Sequence, residues 1–575
     1  MSTVKYEVRP GAYYDSVVLM QLQRALAGLP DVVDAGVVMA TEANRELLAA
    51  SDLLPDDVEA KADDLLIVVR AENEARAREA LSQVDSLLRR QRSTASQAFR
   101  PRSLEAALKM VPDAGWVLIS VPGRYAAGVT REAVEQGRHV FLYSDNVSLE
   151  DELSLKQEAH NKGLLVMGPD CGTAIINGVG LGFANRVRRG NIGLVGASGT
   201  GLQAIASHIH NLGGGVSQAI GTGGRDLKAE IGAITARQGL DLLSRDPETK
   251  VIILVSKPPS SEVATRLLAA AQAAHKQVVV NFLGYPVTAR RLDNLHFATS
   301  LSEAAELAVE IGDWREEIEE ISDLQVLDYA QDRSAVAGYP SQVYLRGLFS
   351  GGTLAYEALL GLQMMLSPIY SNVPIRKEQH LPDPFVSRGH TILDLGEDQF
   401  TQGRLHPMLD NDLRLRRLRQ EAADPEVGLV LIDVVLGQGA HPDPASEVAP
   451  AIAEVKKARA DLEVVAVVVG TDEDPQDLNA QIERLIAAGT TVFPSTAEAI
   501  DYVSRYLSQP AADAFPRVPL NAFQEPLTAV NVGLETFYDS LKAQGAEVVQ
   551  VDWRPPAGGN EKLMAILAKM KAREV

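Results

Sequence analysis

Along residues 100–310, short apolar runs alternate with longer stretches in which apolar positions recur every three or four residues, and the alternation returns over 342–508. Runs at 116–121, 139–143, 164–167, 251–255 and 278–282 predict strands, with helices at 130–135 and 149–162. Strand and helix in turn is the grammar of βαβ units and a parallel sheet. Val251-Ile252-Ile253-Leu254-Val255 is apolar throughout, as a strand covered on both faces requires.

The flanks read differently. Residues 1–95 give strands at 4–8, 32–39 and 65–69 and amphipathic helices at 16–27 and 72–89, a small α+β module. The stretch 89–101 mixes Arg, Ser and Gln without period and ends in Pro101, which predicts a linker. A charged stretch at 313–320 predicts a solvated helix joining the two α/β regions. After Pro510 a strand at 527–532, a helix at 535–544, a strand at 548–551 and a Pro/Gly turn at 553–559 predict a C-terminal appendage over 511–575.

The two α/β regions share an order of features. Each begins with a strand running into a small-residue turn, Ser198-Gly199-Thr200-Gly201 in the first and Ser350-Gly351-Gly352-Thr353 in the second. Gly223-Gly224-Arg225-Asp226 then matches Gly396-Glu397-Asp398, Asp246-Pro247-Glu248 matches Asp424-Pro425-Glu426, and Val278-Val279-Val280 matches Val464-Val465-Ala466-Val467. The series closes with Ser300-Leu301-Ser302-Glu303-Ala304 against Ser495-Thr496-Ala497-Glu498-Ala499. Five matches in one order predict duplicated domains, with an insertion over 370–389 in the second.

Composition narrows the function. The 575 residues are 46% hydrophobic and 5% aromatic with 45 glycines, which suits wound α/β layers with tight turns. A net charge of −21 without a long Lys/Arg block argues against a nucleic-acid partner. No signal-peptide pattern and no apolar run of membrane-spanning length is present, so a cytoplasmic protein with no membrane partner is expected. The single cysteine, Cys171, excludes an internal disulfide and a cysteine-rich metal site, and no metal is expected.

Candidate chemistry centres on the two turns. A helix start presents unpaired N–H groups and the positive end of a dipole, and small residues let an anion approach the backbone. Ser198, Gly199, Thr200, Gly201, Ser350, Gly351, Gly352 and Thr353 are therefore expected to bind a phosphate-like group. Arg225 is a candidate to grip phosphate or a carboxylate, since its fork suits both; it reads equally as an exposed turn residue. His441 follows the apolar run 429–435, at the end of a parallel strand where such sheets bind ligands, and is the candidate acid/base group or else a surface-loop histidine. Asp226 and Asp398 read as helix caps or as substrate-orienting groups, and Cys171 as a packing group or else a nucleophile.

Residues 100–310 resemble the α subunit of succinyl-CoA synthetase in Ser120-Val121-Pro122, in Met167-Gly168-Pro169-Asp170-Cys171, in the strand before Ser198-Gly199-Thr200 and in the turn 223–226. Residues 342–508 resemble the ligase-type domain of the β subunit, and the whole chain resembles the FdrA family, including Val530-Asn531-Val532-Gly533-Leu534 and Trp553-Arg554-Pro555-Pro556 in the tail. The resemblance implies a CoA-binding-like Rossmann segment over 100–185, followed by two facing flavodoxin-like domains over 186–312 and 342–508. It departs in two places. Residues 1–95 hold no Gly-x-x-Gly-x-x-Gly turn after a strand, which leaves CoA possible and not required. The loop that carries the synthetase's phosphorylated histidine is replaced by 291–300, where His296, in an apolar setting, reads as a structural residue or else as a phosphoryl carrier.

What the FdrA resemblance implies is a component of oxamate carbamoyltransferase in purine and allantoin nitrogen breakdown, turning carbamoyl phosphate and oxamate into oxalurate and phosphate. Carbamoyl phosphate is a mixed anhydride, so a site for an acyl phosphate between two helix starts suits it. The alternatives are an acyl-CoA synthetase of succinyl-CoA ligase type and a non-catalytic assembly subunit. The chain has no room for an ATP-grasp module, so partner subunits or a homo-oligomer are expected.

Overall fold

The computed structural model describes residues 2–11, 16–41, 44–45, 48–49, 52–55, 57–61, 64–88, 101, 103–286, 289–312, 344–401, 404–507, 526–532 and 534–552. The expected linker at 89–100, the joining helix at 313–320 and the turn at 553–559 lie outside the described residues. The chain divides into two compact units, Met1–Ser508 and Gln509–Val575.

The first unit begins with β1 (Thr3–Arg9), α1 (Ser16–Ala27), β2 (Val32–Met39), β3 (Leu65–Ala71) and α2 (Glu74–Ser82). The strands form an antiparallel sheet in the order β1-β3-β2, and Leu22, Leu26, Leu65, Ile67 and Val69 fill the core beneath the helices. Next come α3 (Leu104–Met110), β4 (Trp116–Ile119), α4 (Gly123–Glu135), β5 (His139–Leu142), α5 (Leu149–Asn161) and β6 (Val166–Met167), with β4-β5-β6 a parallel sheet. The hairpin β7 (Thr173–Ile176) and β8 (Val179–Gly182) leaves that segment and joins the following sheet through β10.

The first flavodoxin-like half runs β9 (Arg189–Gly196), α6 (Gly199–Asn211), β10 (Val216–Gly221), α7 (Ile234–Arg245), β11 (Val251–Ser256), α8 (Ser261–Gln272), β12 (Gln277–Phe282), β13 (Arg291–Leu292), β14 (Leu295–Phe297) and α9 (Leu301–Ile311). The second runs β15 (Tyr344–Phe349), α10 (Gly352–Leu362), β16 (Ile369–Ser371), β17 (His390–Asp394), α11 (Asp398–Thr401), α12 (Asp412–Ala422), β18 (Val427–Val435), α13 (Ala445–Ala458), β19 (Glu463–Val469), α14 (Leu478–Ala487), β20 (Thr491–Phe493) and α15 (Thr496–Leu507). Parallel strands lie in the order β14-β12-β11-β9-β10 in one half and β20-β19-β18-β15-β17 in the other, so the sheets have one topology. The insertion over 370–389 contributes β16 at the edge of the second sheet.

Local interactions repeat with the topology. Asp246 and Asp424 each accept from the backbone two residues on, at 3.1 and 2.9 Å, turning the chain into β11 and β18. Ser300 and Ser495 each accept the N–H three residues on, at 3.1 and 3.3 Å, capping α9 and α15. These matches support duplication. Helices α6, α9, α10 and α15 share one apolar core, in which Leu202, Ile205, Ala305, Leu354, Ala358, Leu359 and Val503 are buried. That core holds the two halves together at the helices whose starts were singled out.

The second unit is a parallel pair, β21 (Thr528–Val532) and β22 (Glu547–Val551), with α16 (Glu535–Ala543) between them in sequence. Its strands alternate exposed and half-buried positions, and Asn531 donates to Gln550 at 2.5 Å.

Candidate functional site

The first helix start is open. The central strand β9 ends in a buried run, and Ser198, in an extended conformation, caps α6 by accepting from the Gly201 N–H at 3.0 Å. The N–H groups of Gly199 and Thr200 have no partner among the described residues, as the first turn of a helix leaves them. Thr173, on β7, is 2% exposed and its Oγ1 also has no partner. A Cβ added to Gly199 would lie 3.3 Å from that hydroxyl. Two free amides and a buried, unpaired hydroxyl thus meet at one spot.

The second start is closed, which corrects the expectation of two open ones. Asp433, near the carboxyl end of β18, accepts from Ser350 N at 2.7 Å, Ser350 Oγ at 2.9 Å and Gly351 N at 2.7 Å. Arg414 Nη1 balances the charge at 3.0 Å. The helix start does bind an anion, and the anion is the protein's own carboxylate. Asp394 closes the other side, since a Cβ on Gly352 would collide with its Oδ2.

The two starts touch. Ser198 Oγ lies 2.5 Å from Thr353 Oγ1, and Thr353 N donates to Thr200 Oγ1 at 3.3 Å. Gly351 is needed there, because a Cβ would come within 2.7 Å of Thr200 Cγ2. From this junction a ring of contacts runs through Gly172 beside Gly199, Phe183 against Gly172, His406 at 5.3 Å from the Phe183 ring, and Gly396 between His406 and Ser350.

Three further groups lie near this junction. Burial pushes the Asp394 carboxyl up to about 7, against the downward pull of Lys257. Lys257 directly follows β11 and places its Nζ 5.7 Å from the centre of the Tyr356 ring. Burial and Arg414 push His406 down to about 4. Its Nδ1 accepts from Met408 N at 3.2 Å, so the neutral ring carries its proton on Nε2, beside Gly396. Asp433 hides in an apolar strand and Lys257 in the turn Lys257-Pro258-Pro259, which leaves only the positions at strand ends as a signal.

The remaining candidates have other work. Arg225 pairs through Nε with Glu152 at 2.8 Å and donates to the Val147 carbonyl at 2.8 Å, clamping its turn to α5. Buried Lys156 continues that network, 3.0 Å from Glu152 and 2.7 Å from Asp226. Asp226 caps α7 by accepting from Thr235 N and Ala236 N at 3.2 and 2.9 Å. Asp398 opens α11.

His441 is buried, with its Nδ1 accepting from Asp443 N at 3.1 Å and its Nε2 3.3 Å from Glu447, which also pairs with Arg24 at 2.9 Å. Those contacts tie the N-terminal module to the second half. The expectation of a free acid/base group is corrected, because both ring nitrogens are engaged and no helix-start residue is among its partners. Cys171 is a buried packing group with its thiol pushed up to about 12 by desolvation, and His296 is held by Gln277 at 2.9 Å. Among the described residues no cluster of His, Cys, Asp or Glu could hold a metal ion, and no helix is long and apolar enough to cross a membrane.

Over 499 residues the chain is 42% identical to the uncharacterized protein YahF of Escherichia coli strain K12, covering 86% of this chain and 96% of that one. The chain belongs to the YahF family. Family models match three of its parts: AllF, heavy metal-associated domain, over residues 1–103; CoA binding domain over 187–284; and CoA-ligase over 348–505. The second and third fall on the halves that carry the two helix starts. Residues 1–103 contain neither Cys nor His, so the first match is not accompanied by the usual soft-metal ligands.

Similarity extends to the succinate–CoA ligase [ADP-forming] subunit alpha 2 of Archaeoglobus fulgidus, 32% identical over 149 residues, which are 25% of this chain and 50% of that one. This chain therefore spans half the length of that relative. Among solved structures, the dinucleotide-forming acetyl-coenzyme A synthetase 1 of Ca. Korarchaeum cryptofilum, in complex with phosphate and ADP, is 16% identical with a TM-score of 0.31, covering 72% of this chain and 89% of that one. This member of the YahF family thus combines domains of succinyl-CoA synthetase type with a small N-terminal module.

Proposed function

We propose that this chain is the acyl-phosphate-handling component of an acyl-CoA synthetase-type ligase. One observation carries the reading: the buried Thr173 hydroxyl, unpaired, stands beside the free amides of Gly199 and Thr200. An unpaired buried donor costs about 1–3 kcal/mol, and a phosphate group at the helix start would recover it. Lys257, whose charge reaches the Asp394 carboxyl, supplies positive charge at the neighbouring strand end.

In the proposed step a thiol sulfur attacks the carbonyl carbon of an acyl phosphate. The carbon–oxygen bond to phosphate breaks and phosphate leaves with the electron pair. The thiol proton passes to Asp394, whose carboxyl, held at about 7, suits a base near neutral pH. The His406 Nε2–H serves as a donor to the carbonyl oxygen as charge builds there. CoA is the thiol supported by the matched domains. The start of α4, where Pro122 lacks a side-chain cap bond and Arg124 lies over the ring of Tyr125, is the surface offered to it.

A second reading keeps the phosphate site and changes the acceptor. The FdrA resemblance favours carbamoyl transfer, with the oxamate nitrogen attacking carbamoyl phosphate to give oxalurate and phosphate in purine and allantoin nitrogen breakdown, within a complex of partner subunits or a homo-oligomer. Engagement of His296 by Gln277 fits it, because direct transfer needs no phosphorylated histidine.

Incubating the full chain with acetyl phosphate and CoA, and separately with carbamoyl phosphate and oxamate, decides between them. Thioester formation supports the first reading and oxalurate the second. Neither product, together with no binding of inorganic phosphate by calorimetry, would remove both.

A further inference from the structure

A cavity of about 220 Å³ opens at the carboxyl ends of β12 and β14, lined by Val280, Phe282, Tyr285, Phe297 and Ala298 and closed by Leu360 of α10. Open α/β sheets bind ligands at this edge. The walls come from both halves, and they are apolar or aromatic. Thr299, the hydroxyl at the rim, already donates to Glu303 at 2.6 Å. Gly284, at φ +78°, lets the two halves close over the space, since a Cβ there would meet Leu360 at 3.3 Å.

Position links this cavity to the phosphate site. Strand β12 pairs with β11 and β11 with β9, whose end leads into the open helix start. Two strand spacings separate the cavity from that start, about 10 Å. Lys257 stands just past the end of the strand between them, near the Tyr356 ring, and the Tyr356 hydroxyl would be 3.8 Å from a Cβ on Gly284.

We infer that this cavity holds the apolar acyl end of the carboxylic acid substrate, an aliphatic or aromatic monocarboxylate whose activated carboxyl reaches back past Lys257 to the helix start. The inference rests on the acyl-phosphate reading and narrows its substrate. A second carboxylate or an amide placed here would lose its hydration without gaining partners, which selects against succinate-like and oxamate-like tails. Each methylene added to a straight chain tightens binding about fourfold while the cavity fills.

Calorimetric titration of the full chain with acetate, butyrate, hexanoate and octanoate, and in parallel with inorganic phosphate, tests this. The wild-type chain tightens along the series by about fourfold per methylene until the space is full. Ala298→Phe and Leu360→Trp, which occupy the cavity from opposite halves, abolish the gradient and leave phosphate binding intact; should one fail to fold, the other decides. Affinity that ignores chain length, or a gradient that survives both variants, overturns the inference. Phosphate binding with a flat series defeats the cavity alone, and a clear series without phosphate binding defeats the acyl-phosphate reading alone.

Discussion

Ser198 Oγ and Thr353 Oγ1 lie 2.5 Å apart, joining the first turns of α6 and α10 across the boundary between the duplicated halves. Ser198 also caps α6 through the Gly201 N–H, so one hydroxyl serves two structures.

Ser198→Ala removes both, and the expected loss is about 1–2 kcal/mol from the cap, with more from the unpaired Thr353 hydroxyl. Thr353→Val removes only the cross-link. A double-mutant cycle in urea, with the doubly substituted chain less than additively destabilised, measures the coupling.

The helix-start glycines differ in what they tolerate. Gly199→Ala adds a Cβ 3.3 Å from Thr173 Oγ1, which leaves the fold near its parent stability and weakens phosphate binding by obstructing the amides. Gly352→Ala drives a methyl into buried Asp394 and costs about 1–3 kcal/mol. Thermal unfolding and phosphate calorimetry on both variants separate the two effects.

Asp394 makes stability depend on pH in a defined direction. Its folded carboxyl sits at about 7, above the unfolded value of 3.8, so the folded chain holds this proton more tightly. The stability it contributes is full below about 4 and is lost as pH rises through about 7. Asp394→Asn, which keeps an oxygen to accept the Gly396 N–H now bonded at 2.9 Å, should gain on the wild type as pH goes from about 5 to about 8. Under the proposed chemistry the same variant loses the rise in turnover centred near 7. Urea titrations and rate profiles across that range give both curves.

Arg225 and Lys156 test a structural role against a substrate role. Lys156→Met strands Glu152 and Asp226 in the interior and should cost about 3–5 kcal/mol. Arg225→Ala should lower stability while phosphate affinity stays within about twofold, a difference below half a kcal/mol. A tenfold loss of phosphate affinity in that variant would return Arg225 to the binding site.

The layered α/β class, the duplication and the two helix starts were legible because each rests on local pattern: apolar runs, small-residue turns and Asp or Ser caps that recur in order. Closure of the second start was not. Asp433 lies 83 residues from Ser350 inside an apolar strand, and nothing near either residue announces the pairing. His441 shows the same limit, since its position at a strand end was readable and its burial against Glu447 and Arg24, which pairs with that carboxylate, depends on a module more than 400 residues earlier. Lys257 was overlooked because a lysine before two prolines reads as a solvated turn, and only the sheet order sets it beside the open start.

Because α6 and α10 belong to one polypeptide, their encounter is a first-order event whose local concentration is set by the tether and not by the amount of protein. Dilution cannot part the two halves, and any partner chain is free to dissociate without dismantling the junction at Ser198 and Thr353.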